Sequence, residues 1–358
     1  MSAYLSLLDP AALLRSCPGG IAQGLIWGIM ALGVYFTFRI LDLADLTVDG
    51  SFATGGAVCI MLIVNGWNPE LALLVCCLTG AAAGVVTGLL HTKLGIPAIL
   101  AGILTQISLY SINLNIMGKA NQAINAGAVA LRITSNALYL WRTIGIVAFC
   151  SLILMIVLYC YLGTENGCAF RATGNNAAMS RAQGINVDRE KIIGLALSNG
   201  LVALSGGMLS QYQGFADVNM GRGAIVIGLA AVIIGEVLGE LIVGKRVNYF
   251  LRLVFTVVGS IVYYLVYVLV LWLKFPANDM KLLTAVVVAI FLAVPYLQKQ
   301  AKSSFRHAGK MAKRNIAGRA DPGVPDAVGR ADPGAPHGGR DQEPWLPLWG
   351  SCRRRKRR

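Results

Sequence analysis

Long apolar stretches separated by short polar segments dominate the chain from residue 21 to residue 297. Because a helix of about 20 apolar residues crosses the hydrocarbon core of a bilayer, this arrangement indicates a membrane-embedded fold. Composition agrees, since 13% of the residues are charged, whereas a soluble domain carries about 25%. We predict nine spans, within a range of about eight to ten, at Ile21–Phe38, Gly50–Val64, Leu71–Leu90, Pro97–Met117, Trp141–Leu162, Ile192–Tyr212, Ala224–Val243, Leu253–Leu273 and Leu282–Leu297.

The predicted fold class is an all-α, polytopic transmembrane helical bundle with a disordered C-terminal tail. Strands are not expected, because backbone groups in lipid must bond within their segment and the stretches lack the alternation of a barrel. We divide the chain into an N-terminal segment (1–20), a transmembrane domain (21–297) and a tail (298–358). The tail reads GRADPG twice, at 318–323 and 329–334, and Pro, Gly and charge of this kind predict disorder.

Cysteine usage and charge narrow the function classes. None of the eight cysteines forms a C-x-x-C pair, so we expect packing roles, without a metal site or a disulfide framework. The net charge of +14 is concentrated in the tail, ending in the run 353–358. A basic tail after the last span fits anionic membrane lipid better than nucleic acid.

Basic loops indicate the orientation. The loop 163–191 and the short loop 244–248 precede the basic tail by four and two spans, so all three lie on one side, which the positive-inside rule makes cytoplasmic. We expect a multi-pass protein of the cell membrane with a cytoplasmic C-terminus. With nine spans the N-terminus lies outside, and Asp9, Pro10 and Arg15 argue against a cleavable signal there.

An acidic segment follows the first span. Asp42, Asp45 and Asp49 are spaced so that a helix would stack them on one side. Carboxylates in hydrocarbon are costly, so the segment needs water, cations or the membrane surface. Two interpretations stay open: an interfacial loop in which Asp42 or Asp45 pairs with Arg39, or a gate or substrate-contact loop beside a broken second helix.

The fourth span is unusually polar. Thr105, Ser108, Ser111 and Asn115 follow helical spacing along one side, which must face protein or water. Polar contacts between helices and a pore lining are equally compatible with this pattern, and polar residues on the sixth span favour a pathway. The candidate pathway residues are Asp42, Asp45, Asp49, Ser108, Asn115, Asn199 and Gln211.

Small residues and a near-motif have simpler interpretations. Gly80, Gly84 and Gly88 predict a ridge for close helix packing, as do Gly24 and Gly28. The stretch GELIVGKR resembles a phosphate-binding loop, but it lacks the final Ser or Thr and follows a hydrophobic helix. Any ATP-driven transport therefore requires a separate subunit.

Glu236 and Glu240 lie on one side of the seventh span, close to Lys245 and Arg246. This spacing predicts an ion-pair cluster at the membrane interface rather than a proton relay.

Several stretches resemble one known family. These are FRILDLADLTVDGSF (38–52), HTKLGIPAILAGILTQISLYSINLNIMG (91–118), RATGNNAAMSRAQGINVDREK (171–191), LALSNGLVALSGGMLSQYQGFADVNMGRG (195–223) and GLAAVIIGE (228–236). Together they are similar to ABC transporter permeases of the branched-chain amino acid and ribose type, and most similar to a group described as tryptophan/tyrosine import permeases. The tail does not match, and the spacing from Ala178 to Gly184 departs from the E-A-A-x-x-x-G form of other importers.

The resemblance implies an import permease for a small polar metabolite, with amino acids favoured, that works by alternating access and has no catalytic residue. It implies cytoplasmic ATPase subunits that carry ATP and Mg, an extracytoplasmic substrate-binding lipoprotein and a second permease copy, most simply in a homodimer; the chain itself binds no cofactor. An ion-coupled secondary transporter using Asp49 or Glu236 is the alternative. By position, the coupling segment comprises Arg171, Gly174, Asn175, Asn176, Ala178, Arg181 and Gly184. Candidate contacts with the binding protein are Asp217, Asn219 and Arg222.

Overall fold

The structure is a computed structural model that describes residues 10–124, 134, 140–244 and 248–272, with isolated residues at 282, 286, 289 and 293. Within these residues the chain is almost entirely helical. The helices are α1 (Pro10–Val34), α2 (Thr47–Val64), α3 (Pro69–Thr92), α4 (Ala98–Met117), α5 (Leu140–Leu162), α6 (Glu165–Asn175), α7 (Ala177–Ala182), α8 (Val187–Gln213), α9 (Ala224–Val243) and α10 (Tyr249–Trp272). A π-helical turn, the π segment (Tyr35–Ile40), continues α1.

Eight helices in the described residues are long and apolar enough to cross a membrane, namely all except α6 and α7. They confirm the all-α polytopic class and eight of the nine predicted spans. The first helix begins at Pro10, earlier than predicted, and includes Pro18. The ninth predicted span lies outside the described residues, apart from four isolated helical residues between 282 and 293.

Two three-residue strands correct the expectation of no strands. β1 (Asn121–Ala123) pairs antiparallel with β2 (Phe215–Asp217), and Gln122 lies opposite Ala216. Each strand follows a helix that ends in a left-handed glycine, Gly118 after α4 and Gly214 after α8. Both strands lie just beyond the ends of α4 and α8. Their backbone groups can therefore pair with each other outside the membrane-spanning helices, and no unpaired strand edge is exposed to lipid. We call this side the ribbon end, and the opposite side the α6–α7 end.

The predicted glycine ridges pack helices as expected. A Cβ added at Gly80, Gly84 or Gly88 would meet α8, and one added at Gly24 or Gly28 would meet α10. Small residues let backbones approach closely where lipid provides no hydrophobic drive between helices. The result is a core in which α8 contacts α1, α2 and α3.

Candidate translocation and coupling sites

The chain between α1 and α2 is not helical and runs into the bundle. Residues 41–46 connect the π segment to α2, and Asp42 in this break has a positive φ of 55°. Asp45 is 3% exposed and lies against Asn199 near the middle of α8. The three carboxylates therefore do not stack on one helical side, because residues 41–46 are not helical where that interpretation requires a helix.

Asp45 and Asn199 form a closed hydrogen-bond network, which we call the Asp45 network. Asn199 Nδ2 donates to Asp45 Oδ2 at 2.7 Å and to the Leu195 carbonyl at 2.9 Å. Asn199 Oδ1 accepts from Ser51 Oγ at 2.7 Å, and Asp45 Oδ1 accepts from the Thr47 backbone N–H at 2.9 Å. Each polar group of the Asn199 amide thus has a partner, as a buried amide requires.

Threonines extend the network to two more helices. Thr47 Oγ1 lies 2.9 Å from Thr87 Oγ1, which donates to Thr105 Oγ1 at 2.9 Å. All three side chains are buried. The Asp45 network consequently ties the start of α2 to α3, α4 and α8.

Asp49 has a different partner, the start of α9. Its two carboxylate oxygens accept from the backbone N–H groups of Gly223 and Ile225 at 3.0 and 2.9 Å. Negative charge is favourable at a helix N-terminus, where N–H groups lack helical partners. Asp49 therefore holds the loop before α9 against α2.

Arg39 has a partner that neither interpretation of the acidic segment predicted. Its Nε donates to Glu236 Oε1 on α9 at 2.6 Å, while the Asp45 carboxylate is already occupied inside the bundle. The interfacial interpretation is therefore corrected for Asp45. The second helix is not broken either, since α2 runs without interruption from Thr47 to Val64 and the break lies before it; a gate or substrate-contact role of this segment stays a prediction. Glu236 is paired across helices, while Lys245 and Arg246 lie outside the described residues.

A cavity of about 440 Å³ lies between α2, α4 and the loop before α9, and it opens at the surface of the chain, where Ile107 and Tyr110 are exposed. The polar or charged residues that line it are Asp49, Gln106, Tyr110, Asn113 and Arg222. The Asn113 side chain is fully buried, and neither its Nδ2 nor its Oδ1 has a hydrogen-bond partner. Asn113 is not among the predicted pathway residues, because helical spacing on the fourth span cannot show that its amide is unsatisfied.

The other predicted pathway residues lie apart from one another. Ser108 and Asn115 are exposed on α4, and Asp42 is exposed in the break. Gln211 is buried, with Nε2 3.3 Å from Cys59 Sγ. The structure thus brings Asp45 together with Asn199, whereas a shared pathway through all seven residues stays a prediction.

The predicted coupling residues occupy two short helices at the α6–α7 end. Thr164 Oγ1 caps α6 by accepting from the Gly167 N–H, and Asn176 Oδ1 caps α7 by accepting from the Met179 N–H. Gly184 has φ of +83° and turns the chain towards α8. A capping side chain and a left-handed glycine are ordinary boundaries for such short helices.

The coupling set divides into an inward and an outward face. Gly174 faces inward, since a Cβ there would collide with the Ile40 carbonyl at the end of the π segment. The Arg171 guanidinium lies 4.9 Å from the centre of the Tyr249 ring. Partial burial lowers the pKa of Arg171, but hydrogen bonds to Tyr249 and Cys168 outweigh it and raise the pKa, so the guanidinium stays charged. The exposed residues are Asn175, Asn176, Ala178, Arg181 and Gly184.

The candidate binding-protein contacts lie at the ribbon end. Asp217 Oδ1 accepts from the Asn219 N–H at 2.7 Å, and the Arg222 N–H donates to the Asn219 carbonyl at 3.1 Å. Asn219 and Arg222 are exposed. The three residues therefore share one turn on the side of the bundle opposite α6 and α7, and their contact with another protein stays a prediction.

Comparisons with known proteins identify the family. The family described as the branched-chain amino acid transport system permease component matches residues 18–294. A tyrosine transport system permease protein of Clostridioides difficile is 38% identical over 284 residues, which cover 79% of this chain and 92% of the relative. A ribose import permease protein of Escherichia coli is 28% identical over 193 residues, or 52% of this chain and 58% of that protein. No solved structure matches the chain.

These matches confirm the resemblance of the quoted stretches and establish a multi-pass membrane transport protein. The matched residues include the break, the Asp45 network, the cavity and helices α6 and α7. The chain belongs to the permease component family of the branched-chain amino acid transport system.

Proposed function

We propose that the chain is the permease of an ATP-driven importer that moves an amino acid inward by alternating access, with L-tyrosine the first candidate substrate. The observation that carries the proposal is the seating of α6 on the π segment at Gly174 and Ile40. The family match and the tyrosine permease of C. difficile support the substrate class.

A continuous set of contacts can carry movement from α6 into the bundle. Phe170 on α6 packs against Phe36 of the π segment, with ring centres 5.8 Å apart. The π segment leads through Leu41 into the break and so to Asp45. Because packed elements move as units rather than deform continuously, a shift of α6 would move the break and the start of α2.

The exposed surface of α6 and α7 is the proposed docking surface for an ATP-binding cassette subunit. It presents small and polar side chains and the half-exposed Met179, which suit a groove on a soluble partner. In this arrangement the α6–α7 end and the C-terminus lie on the cytoplasmic side of the cell membrane, and the partner subunit binds ATP and Mg. The ribbon end, with Asp217, Asn219 and Arg222, would then meet a substrate-binding lipoprotein.

A second permease copy is proposed to cover α4. Only 28% of the most apolar 18-residue stretch of α4 is buried within the chain. Ser108, Ser111 and Asn115 are exposed on the same helix. Exposed hydroxyls and amides are unfavourable against lipid tails but suit a protein interface or a water-filled path. We therefore expect a homodimer with α4 beside the shared translocation pathway.

Reconstitution with an ATPase subunit tests the function. The permease, a candidate ATP-binding cassette subunit and the binding protein are placed in liposomes, and uptake of labelled L-tyrosine is measured with ATP or with a pH gradient alone. ATP-dependent uptake supports the proposal. Uptake by the lone permease driven by the pH gradient contradicts it and favours the secondary-transporter alternative.

Gly174→Ala tests the coupling contact within the same system. The added methyl would push α6 off the Ile40 carbonyl, so we expect at least a tenfold loss of ATP-dependent uptake while the ATPase still co-purifies. Ala178→Glu, on the outward face, should instead weaken ATPase co-purification. Ala120→Glu at the ribbon end is the matched control for ATPase binding. Normal uptake by Gly174→Ala would exclude the proposed route.

A further inference from the structure

We propose that the cavity between α2, α4 and the loop before α9 is a binding site for an amino acid zwitterion with a hydroxyl-bearing aromatic side chain. The inference rests on the proposed import function for its place in transport. Its binding chemistry, however, can be measured on the permease alone.

Two residues of opposite charge line the cavity without pairing with each other. Asp49 and Arg222 both line it, and they form no ion pair with one another in the described part of the chain. The Asp49 carboxylate accepts from backbone N–H groups at the start of α9, and since an ionised carboxylate has about four lone-pair sites, it can accept a further donor. The carboxylate can therefore accept from an α-ammonium group while the Arg222 guanidinium binds the α-carboxylate.

The unsatisfied amide of Asn113 indicates a polar group on the ligand. A buried amide without partners costs free energy, and such a group in a native structure requires an explanation. Asn113 lies ten residues after Ile103 on α4, so the wall that α4 contributes is about 15 Å long. A ligand head group bound at Asp49 and Arg222 can place a phenolic hydroxyl against the amide of Asn113.

The remaining wall fits an aromatic ring. Ile103 and Ile107 contribute apolar surface, and the Tyr110 ring lines the same cavity. A volume of about 440 Å³ falls within the usual range for small-molecule sites, which are mostly apolar with a few placed polar groups. A sugar would leave the apolar wall and the two charges without matching groups.

Binding of labelled L-tyrosine to the detergent-purified permease tests the site, with L-phenylalanine, tyramine, 3-(4-hydroxyphenyl)propionate and D-ribose as competitors. We expect L-tyrosine to bind about tenfold more tightly than L-phenylalanine, and each analogue lacking one charge to lose about tenfold. Tighter binding of D-ribose than of L-tyrosine would overturn the zwitterion assignment. So would competition by tyramine and 3-(4-hydroxyphenyl)propionate as strong as that by unlabelled L-tyrosine.

Variants assign the binding to this cavity. Asn113→Leu should abolish the preference for L-tyrosine while leaving L-phenylalanine binding within twofold. Arg222→Gln, at an exposed position that need not affect folding, should weaken both amino acids about tenfold. Arg142→Gln removes an exposed charge at the start of α5 and is the matched control. If Asn113→Leu and Arg222→Gln both bind L-tyrosine like the wild type, the cavity is not the binding site, whether or not ATP-driven uptake is found. If the wild type binds L-tyrosine but shows no ATP-driven uptake, only the proposed import function is contradicted.

Discussion

Two buried asparagines on different helices of the bundle, Asn199 on α8 and Asn113 on α4, have opposite surroundings. Asn199 and Asn113 are both fully buried. Asn199 bonds to Asp45, Ser51 and a carbonyl of its own helix, whereas both polar atoms of the Asn113 side chain lack partners. On the proposal above, the first amide stabilises the fold through its partners and the second is completed by a ligand.

Replacing Asn199 should give the largest effect. Asn199→Leu leaves the buried Asp45 carboxylate and the Ser51 hydroxyl without their amide partner, and we expect about 3 kcal/mol lower stability. Thermal unfolding of the detergent-purified protein measures it. Asn65→Leu, at an exposed turn after α2, is the control and should change stability by less than about 0.5 kcal/mol.

An Asn199→Leu variant as stable as wild type would contradict a structural role for the Asp45 network. Asn199 could then no longer serve as the example of a structural asparagine with which Asn113 is compared. In that case, satisfied and unsatisfied asparagines could not be assigned different roles from their hydrogen bonds.

Replacing Asn113 should act in the opposite direction. Asn113→Leu exchanges two unsatisfied polar atoms for apolar ones of similar volume, so we expect stability to increase by about 1 kcal/mol while L-tyrosine binding falls. The same unfolding assay, run with and without L-tyrosine, measures both. Loss of stability in Asn113→Leu would indicate that Asn113 has a structural partner and would remove the reason for assigning it to a ligand.

The threonine extension of the Asp45 network should contribute least. Thr87→Val keeps the shape of the side chain and removes its hydroxyl from between Thr47 and Thr105. Thr105 also donates to the Ala101 carbonyl, so we expect a loss of only about 0.5 kcal/mol. A loss as large as that of Asn199→Leu would move the centre of the network from Asp45 to the threonines.

Sequence periodicity predicted the spans well because hydrocarbon imposes a helix length and internal hydrogen bonding on each of them. It also identified the glycine ridges, but it expected a break within the second helix, whereas the break lies before that helix, at residues 41–46. Periodicity could not show that residues 41–46 enter the bundle, because the partner of Asp45 lies more than 150 residues away on α8. The spacing of residues within one segment gives no information about a contact over such a distance in the sequence.

The candidate site was less accessible to sequence reasoning than the fold. Asn113 and Ser108 look alike in the sequence, since both are polar residues on α4, yet one is buried and the other exposed. Which side of α4 faces α2 depends on close contacts such as that of Gly50 with Leu109. The ligand site therefore follows from packing, not from residue type.

Locating a heavy-atom analogue would test the central claim most directly. The full permease complex bound to 3-iodo-L-tyrosine should show the iodine in the cavity between α2 and α4, with the phenolic oxygen within hydrogen-bonding distance of Asn113. In Asn113→Leu the same analogue should bind about tenfold more weakly, because the head group keeps Asp49 and Arg222 while the phenolic oxygen loses its amide partner. Iodine density found only outside this cavity, with the Asn113 amide still unpartnered, would contradict the assignment of the unsatisfied asparagine to substrate.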